Sequence, residues 1–114
     1  MTSFRKERMG EAIRKVVSEK LSRERGLIEN AFITVSRVDL SADLGVAKVF
    51  YSVFGDGVDM ATADEVMKEH CGEFRYEVSQ KLKLRHTPKI EFCFDKNAEY
   101  ASRVHQILAE AESE

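Results

Sequence analysis

Residues 61–95 read ATADEVMKEHCGEFRYEVSQKLKLRHTPKIEFCFD, and this stretch decides the fold. Met67, Cys71, Phe74, Val78 and Leu82 recur at steps of three and four, the spacing of one apolar helix face. Gly72 stands in the middle of that stripe. A glycine inside a helix costs roughly 1 kcal/mol relative to alanine. The spacing therefore predicts two helices across Ala61–Leu84 that meet at a kink around His70, Cys71 and Gly72. Pro88 closes the following loop, because the residue before a proline avoids the helical region. Ile90, Phe92 and Phe94 then alternate with Glu91, Cys93 and Asp95, which predicts a strand.

Working outward, residues 31–40 and 46–54 are rich in β-branched and aromatic types and read as two strands of an antiparallel hairpin, with turn chemistry from Ser41 to Gly45. In the first strand Ile33 and Val35 share one phase while Val38 and Leu40 take the other. That slip predicts a bulge between Val35 and Val38. Upstream, Met9, Ile13, Val16, Val17 and Leu21 form one helical stripe over residues 3–24, with Ser3 as the expected N-cap and Gly26 as a left-handed stop. Downstream, Asn97 is placed to cap a last helix with Ala101, Val104, Ile107, Leu108 and Ala111 on one side. Chains divide into domains only well beyond 114 residues, so a single domain over residues 1–114 is expected. The order predicts an α+β fold: a three-stranded sheet with helices on one face.

Charge is distributed unevenly. The chain carries 18 Lys and Arg against 20 Asp and Glu, a formal net charge of −2. Yet residues 1–25 and 75–89 each carry +4, separated and followed by acidic segments. If folding brings the two basic blocks together, they offer a surface to a phosphate backbone. The alternative is a pair of solvated helix faces. The candidate RNA-binding residues are Arg5 and Arg8 in the first block and Arg75, Lys81, Lys83 and Arg85 in the second, with Lys48 on the hairpin. Arg75 and Lys83, eight positions apart, would share an azimuth on one helix.

Other chemistry is sparse. No phosphate-binding glycine loop, HExxH or GxSxG pattern occurs. His70, His86 and His105 lack ligand spacing, so no metal site is expected. Cys71 and Cys93 fall in periodic segments and read as packing residues of a protein from a reducing compartment. No apolar run approaches the roughly 20 residues that span a bilayer, and no signal peptide is recognised.

The element order is similar to the type II KH fold, in which a GxxG loop at the helix junction clamps the nucleic-acid backbone. Here His70-Cys71-Gly72-Glu73 occupies the junction, so GxxG is missing. The chain resembles the ribosome-binding factor A family, whose KH-like fold has a kinked Ala-x-Gly junction instead. Arg5, Arg8, Met9 and Ile13 match its opening helix. Thr34-Val35-Ser36-Arg37-Val38, Ser41, Asp43-Leu44 and Ala47-Lys48-Val49-Phe50 look like its hairpin. Gly72 and Arg75 match the start of its second kinked helix, and Leu84-Arg85-His86-Thr87-Pro88 with Phe92 and Asp95 looks like its most specific signature. His70 stands where the family has its small alanine. The resemblance implies a cytoplasmic, monomeric assembly factor without enzymatic activity or cofactor. It would bind the free small ribosomal subunit near the 5′ region of its rRNA, support late maturation and 5′-end processing, and matter for cold adaptation. A generic KH-like RNA-binding protein and a small α+β protein-interaction domain are the alternatives.

Overall fold

The computed structural model describes residues 2–24, 26–28, 31–55, 57 and 59–95. Helix α1 spans Thr2–Arg23, strands β1 and β2 span Ala31–Leu40 and Val46–Gly55, helices α2 and α3 span Met60–Glu69 and Cys71–Leu82, and strand β3 spans Lys89–Phe94. The last helix expected from the sequence, after Asn97, lies outside the described residues.

The sheet has the order β1-β2-β3, with β1 antiparallel and β3 parallel to β2. The expected bulge is present: the β1–β2 register shifts between Val35 and Arg37. Its effect is to return Val38 and Leu40 to the face of Ile33 and Val35. All four pair with inward residues of β2, namely Val49, Ala47, Val53 and Tyr51. Without the extra residue, half of β1 would point its apolar side chains at solvent. Ile90 and Phe92 of β3 complete the face, and the helices supply the other side of the core through Ile13, Val16, Val17, Leu21, Ala63, Met67, Phe74 and Val78. Phe92 sits at the centre, edge-on to Phe74 at 5.1 Å and to Tyr51 at 6.0 Å.

Helix α1 lies close on β1. Gly10 is buried there, and a Cβ added to it would stand 3.1 Å from the Val38 carbonyl oxygen. The apolar stripe says which face of α1 is inward, but not that this position must stay bare. The helix starts at Thr2, so Ser3 is inside it and is not its N-cap. Gly26 has φ of +103°, the positive value expected of a stop signal, three residues past the helix end.

A candidate nucleic-acid interface at the hairpin-turn end

The two helices of the pair meet at His70, within the expected kink at His70, Cys71 and Gly72 and two residues before the glycine itself. His70 has φ −94° and ψ 2° and serves as C-cap of α2 and N-cap of α3. Its N–H donates to the Val66 carbonyl, while its own carbonyl accepts from the Glu73 and Phe74 N–H groups. Its Nδ1 lies 3.0 Å from Glu73 Oε2. That bond holds the Glu73 carboxyl below its usual range. Cys71 opens α3, and Gly72 is an ordinary exposed helical residue with open space where a methyl group would stand. The break is therefore made by a residue in the sparsely allowed bridge region, which needs no glycine. It lets Ala63 and Met67 pack from α2 while Phe74 and Val78 pack from α3.

Helix α3 ends at Leu82, not Leu84. Lys83 is its C-cap in the left-handed conformation, φ 49° and ψ 44°. Lys83 is therefore off the helix, and the shared azimuth expected for Arg75 and Lys83 does not exist. Arg75 is instead tied to the loop before β3: its Nη2 donates to the Thr87 carbonyl at 3.1 Å.

Sheet register decides where the basic blocks go. Lys6 and Glu7 of α1 line a shallow groove with Val38, Asp39 and Leu40, so the N-terminal end of α1 lies over the end of the sheet that carries the hairpin turn. The Lys89 N–H donates to the Gly45 carbonyl at 2.9 Å, and Lys89 is the register partner of Val46. The start of β3 is thus at the same end, two strand spacings or about 10 Å from β1. Arg5 and Arg8 on one side and Lys89 on the other are thus delivered to one end of the sheet, Arg85 lies in the loop that leads into Lys89, and Arg75 is tied to that loop through Thr87. Direct helix packing does not do this. Helix α3 meets α1 through Lys20 over Phe74 and Arg23 with Glu77, and Arg5 and Arg8 precede Lys20 by about 22 and 18 Å of helix axis. Lys81 and Lys83 close α3, separate from the Arg75–Thr87 contact.

Among the described residues, Arg14, Lys20, Arg23, Arg37 and Lys68 have carboxylate partners. Arg5, Arg8, Lys48, Arg75, Lys81, Lys83 and Arg85 are exposed and stand in no such pair. Nearby acids are engaged elsewhere. Asp43 accepts from Ser41 Oγ and the Gly45 N–H, which keeps its carboxyl below the usual range, and Asp39 faces Arg37 at 3.4 Å. Lys48 differs from the others. It lies on the helix-free face of β2, with Asp39 and Glu91 as its register partners on either side. Lys6 and Lys89 are also exposed and unpaired among the described residues. Charge counting ranks them with the chosen residues, and only the register singles them out.

A groove of about 480 Å³ runs beside the helix junction. Asp64, Lys68 and Cys71 line one wall and the β3 edge, Lys89–Cys93, the other. Burial pushes both cysteine thiols upward, so they stay protonated at neutral pH. Burial, with Asp64 second, pushes the Tyr51 hydroxyl up too, and it donates to Asp64 Oδ1 at 3.1 Å. These groups are arranged for packing and hydrogen bonding.

A sequence model described as ribosome-binding factor A matches residues 5–108. The ribosome-binding factor A of Natranaerobius thermophilus is 35% identical over 108 residues, covering 95% of this chain and 82% of that protein. That of Brevibacillus brevis is 36% identical, covering 100% of this chain and 94% of its own. In structure the chain is similar to the crystal structure of ribosome-binding factor A from Thermus thermophilus, with TM-score 0.68, 19% identity and coverage of 78% of this chain and 93% of that one. It is also similar to a Thermus thermophilus homology model fitted into the cryo-EM map of a 30S complex, with TM-score 0.60, 20% identity and coverage of 71% and 85%. The α+β, KH-like fold agrees with these neighbours. A match spanning nearly every element, with relatives above 30% identity along almost the full length, places this chain in the ribosome-binding factor A family.

Proposed function

We propose that this protein is a non-catalytic assembly factor that binds the free small ribosomal subunit through its rRNA. The observation that carries the reading is that the start of α1, with Arg5 and Arg8, and the start of β3, with Lys89 and the preceding loop that holds Arg85 and binds Arg75 through Thr87, lie at the hairpin-turn end of the sheet. None of them has a carboxylate partner among the described residues, in a chain whose acids outnumber its bases. Cations left unpaired on a surface suit phosphate contacts, and the arginines add planar, bidentate geometry. Family membership favours ribosomal RNA as the partner. The finer reading is that the protein acts late in subunit maturation near the 5′ region of the rRNA, supports 5′-end processing, and is most needed in the cold. Low temperature stabilises wrong RNA helices. A protein that binds one rRNA arrangement preferentially shifts the population toward it without consuming nucleotide. A near-neutral net charge suits a factor that must later leave, and the reading includes a monomer acting in the cytoplasm. No described helix is long and apolar enough to cross a membrane.

Co-sedimentation with purified free small subunits over a salt series tests the proposal. Binding is expected at low salt and should weaken as salt rises, in proportion to the phosphates contacted. Absence of binding at low salt rejects it. Equal retention of an unrelated structured RNA would favour a general KH-like RNA binder.

A further inference from the structure

We propose that Tyr76 is a base-stacking residue: its ring, on the outer side of α3, takes the face of an unpaired RNA base while Arg75 and Lys83 hold neighbouring phosphates. The inference rests on the reading that this chain binds rRNA. It deepens that reading by naming the target as a single-stranded or looped-out segment, since a base inside a duplex has no free face. Tyr76 is 66% exposed, whereas Phe74 and Val78, two positions to either side, are fully buried. The ring therefore points away from the core. A lone exposed aromatic is ordinary, but the surroundings of this one suit a base. Gly72 lies one turn earlier on the same side of α3. Helical side chains lean toward the N-terminus, which aims the Tyr76 ring over that turn. A Cβ built at Gly72 would meet nothing within 4 Å, so the ring does not pack down there and space remains beside it. Gln80, one turn later, is exposed and offers an amide to a base edge.

The charge around the ring complements a nucleic-acid backbone. Helix α3 has two acids, Glu73 and Glu77, and both are engaged. Glu73 is held by His70 at 3.0 Å, and Glu77 by Arg23 of α1 at 2.6 Å. Arg75, next to Tyr76 in the chain, donates to the Thr87 carbonyl and keeps its other N–H donors for a phosphate. Lys83 lies about 10 Å further along the helix axis. It is exposed and has no carboxylate partner among the described residues. An aromatic face between two cations suits an unpaired strand: the ring stacks on a base and the cations track the backbone. The other large exposed aromatics, Phe32 and Phe54, are register partners at the end of the sheet away from the hairpin turn, remote from Lys89.

Affinities of Tyr76 variants for free small subunits and for a single-stranded RNA of about 12 nucleotides test the proposal. Tyr76→Ala should weaken both about tenfold. The slope of binding against the logarithm of salt should stay the same, because no charge is lost. Tyr76→Phe and Tyr76→Trp keep a ring and should restore binding. Parent-like binding by Tyr76→Ala overturns the stacking role and leaves the rRNA reading standing. Equal losses in Tyr76→Ala and Tyr76→Phe also overturn it, since the hydroxyl rather than the ring would then matter. A parent protein that binds subunits at low salt but not the single strand overturns it too. A parent that binds no subunits at low salt rejects the rRNA reading itself, and this inference with it. Should Tyr76→Ala fail to fold, Tyr76→Trp gives an independent answer. The chain contains no tryptophan of its own, so the emission reports this site alone. Bound single-stranded RNA should quench it, and unchanged emission in the complex refutes the stack.

Discussion

Gly10 and Gly72 are both helical, yet a methyl group should have opposite effects at the two. At Gly72 the space is open and the backbone is helical. Gly72→Ala should therefore raise stability by about 0.5–1 kcal/mol, measured by urea unfolding. At Gly10 the new carbon would press on the backbone oxygen of Val38, which cannot rotate away. Gly10→Ala should lose the propensity gain and destabilise by about 1 kcal/mol or more. An equal gain at both positions would show that α1 does not ride so closely on β1. Lys83 offers a third residue-level test. Its left-handed backbone strains any residue with a Cβ. Lys83→Gly should stabilise by up to about 1 kcal/mol, while Lys83→Ala should leave stability nearly unchanged. If Lys83 also touches RNA, both variants should weaken subunit binding equally, separating conformation from charge. From the sequence, Gly72 reads as the break because propensity is a local argument. The corner is at His70 because α2 and α3 dock separately, and nearly any residue tolerates the backbone conformation required there.

Among the elements, β2 does most of the organising. Tyr51 sits in the aromatic cluster with Phe92 and Phe94 and sends its hydroxyl to Asp64 on α2. Tyr51→Phe should cost about 0.5–1.5 kcal/mol, in the lower half of that range because Asp64 is partly open to water. A loss several times larger would mean that this bond fixes the position of α2. The helices also carry a pH dependence. Arg14 beside Glu11, Lys68 beside Asp64, His70 beside Glu73 and Arg23 beside Glu77 each hold a carboxyl below its usual range. A carboxyl depressed in the folded state stabilises the fold above its unfolded value and loses that contribution as pH falls through the folded one. The melting temperature should thus be level from neutrality to about pH 5 and fall below about pH 4. Solvent screens these exposed pairs, so the loss from each should be small; a melting temperature that stays level down to about pH 3 would show that the pairs contribute nothing. The sequence shows the bulge in β1 plainly, because a change of phase in a two-residue period has one economical cause. It does not show the pairing of β3, since an alternating strand looks the same whether its neighbour runs parallel or antiparallel.

At the scale of the whole molecule, the proposed interface is an end rather than a face. Replacing Arg75, Lys83 and Arg85 together by alanine should leave the melting temperature within a few degrees, since exposed changes alter stability by about 0.5 kcal/mol or less each. Among the described residues Arg75 gives up its bond to the Thr87 carbonyl. Subunit binding should weaken, and its dependence on the logarithm of salt should flatten by up to about one unit per lost contact. Alanines at Glu110, Glu112 and Glu114 serve as the control and should not weaken binding. A triple variant that folds and binds like the parent would reduce the basic blocks to solvated surface. Lys48→Ala should have the least effect of the candidate cations, because Asp39 and Glu91 flank it on the sheet. The amino-acid sequence by itself determined the described helices and strands, the bulge, the inward faces and the two basic blocks, because each is written in spacing over a few residues. Only the tertiary structure decided that β3 pairs in parallel with β2, that the helices part at His70, and that the start of α1 shares an end of the sheet with the start of β3. Those outcomes depend on hydrogen-bond register and packing between segments some 40 to 80 residues apart, which local periodicity does not encode.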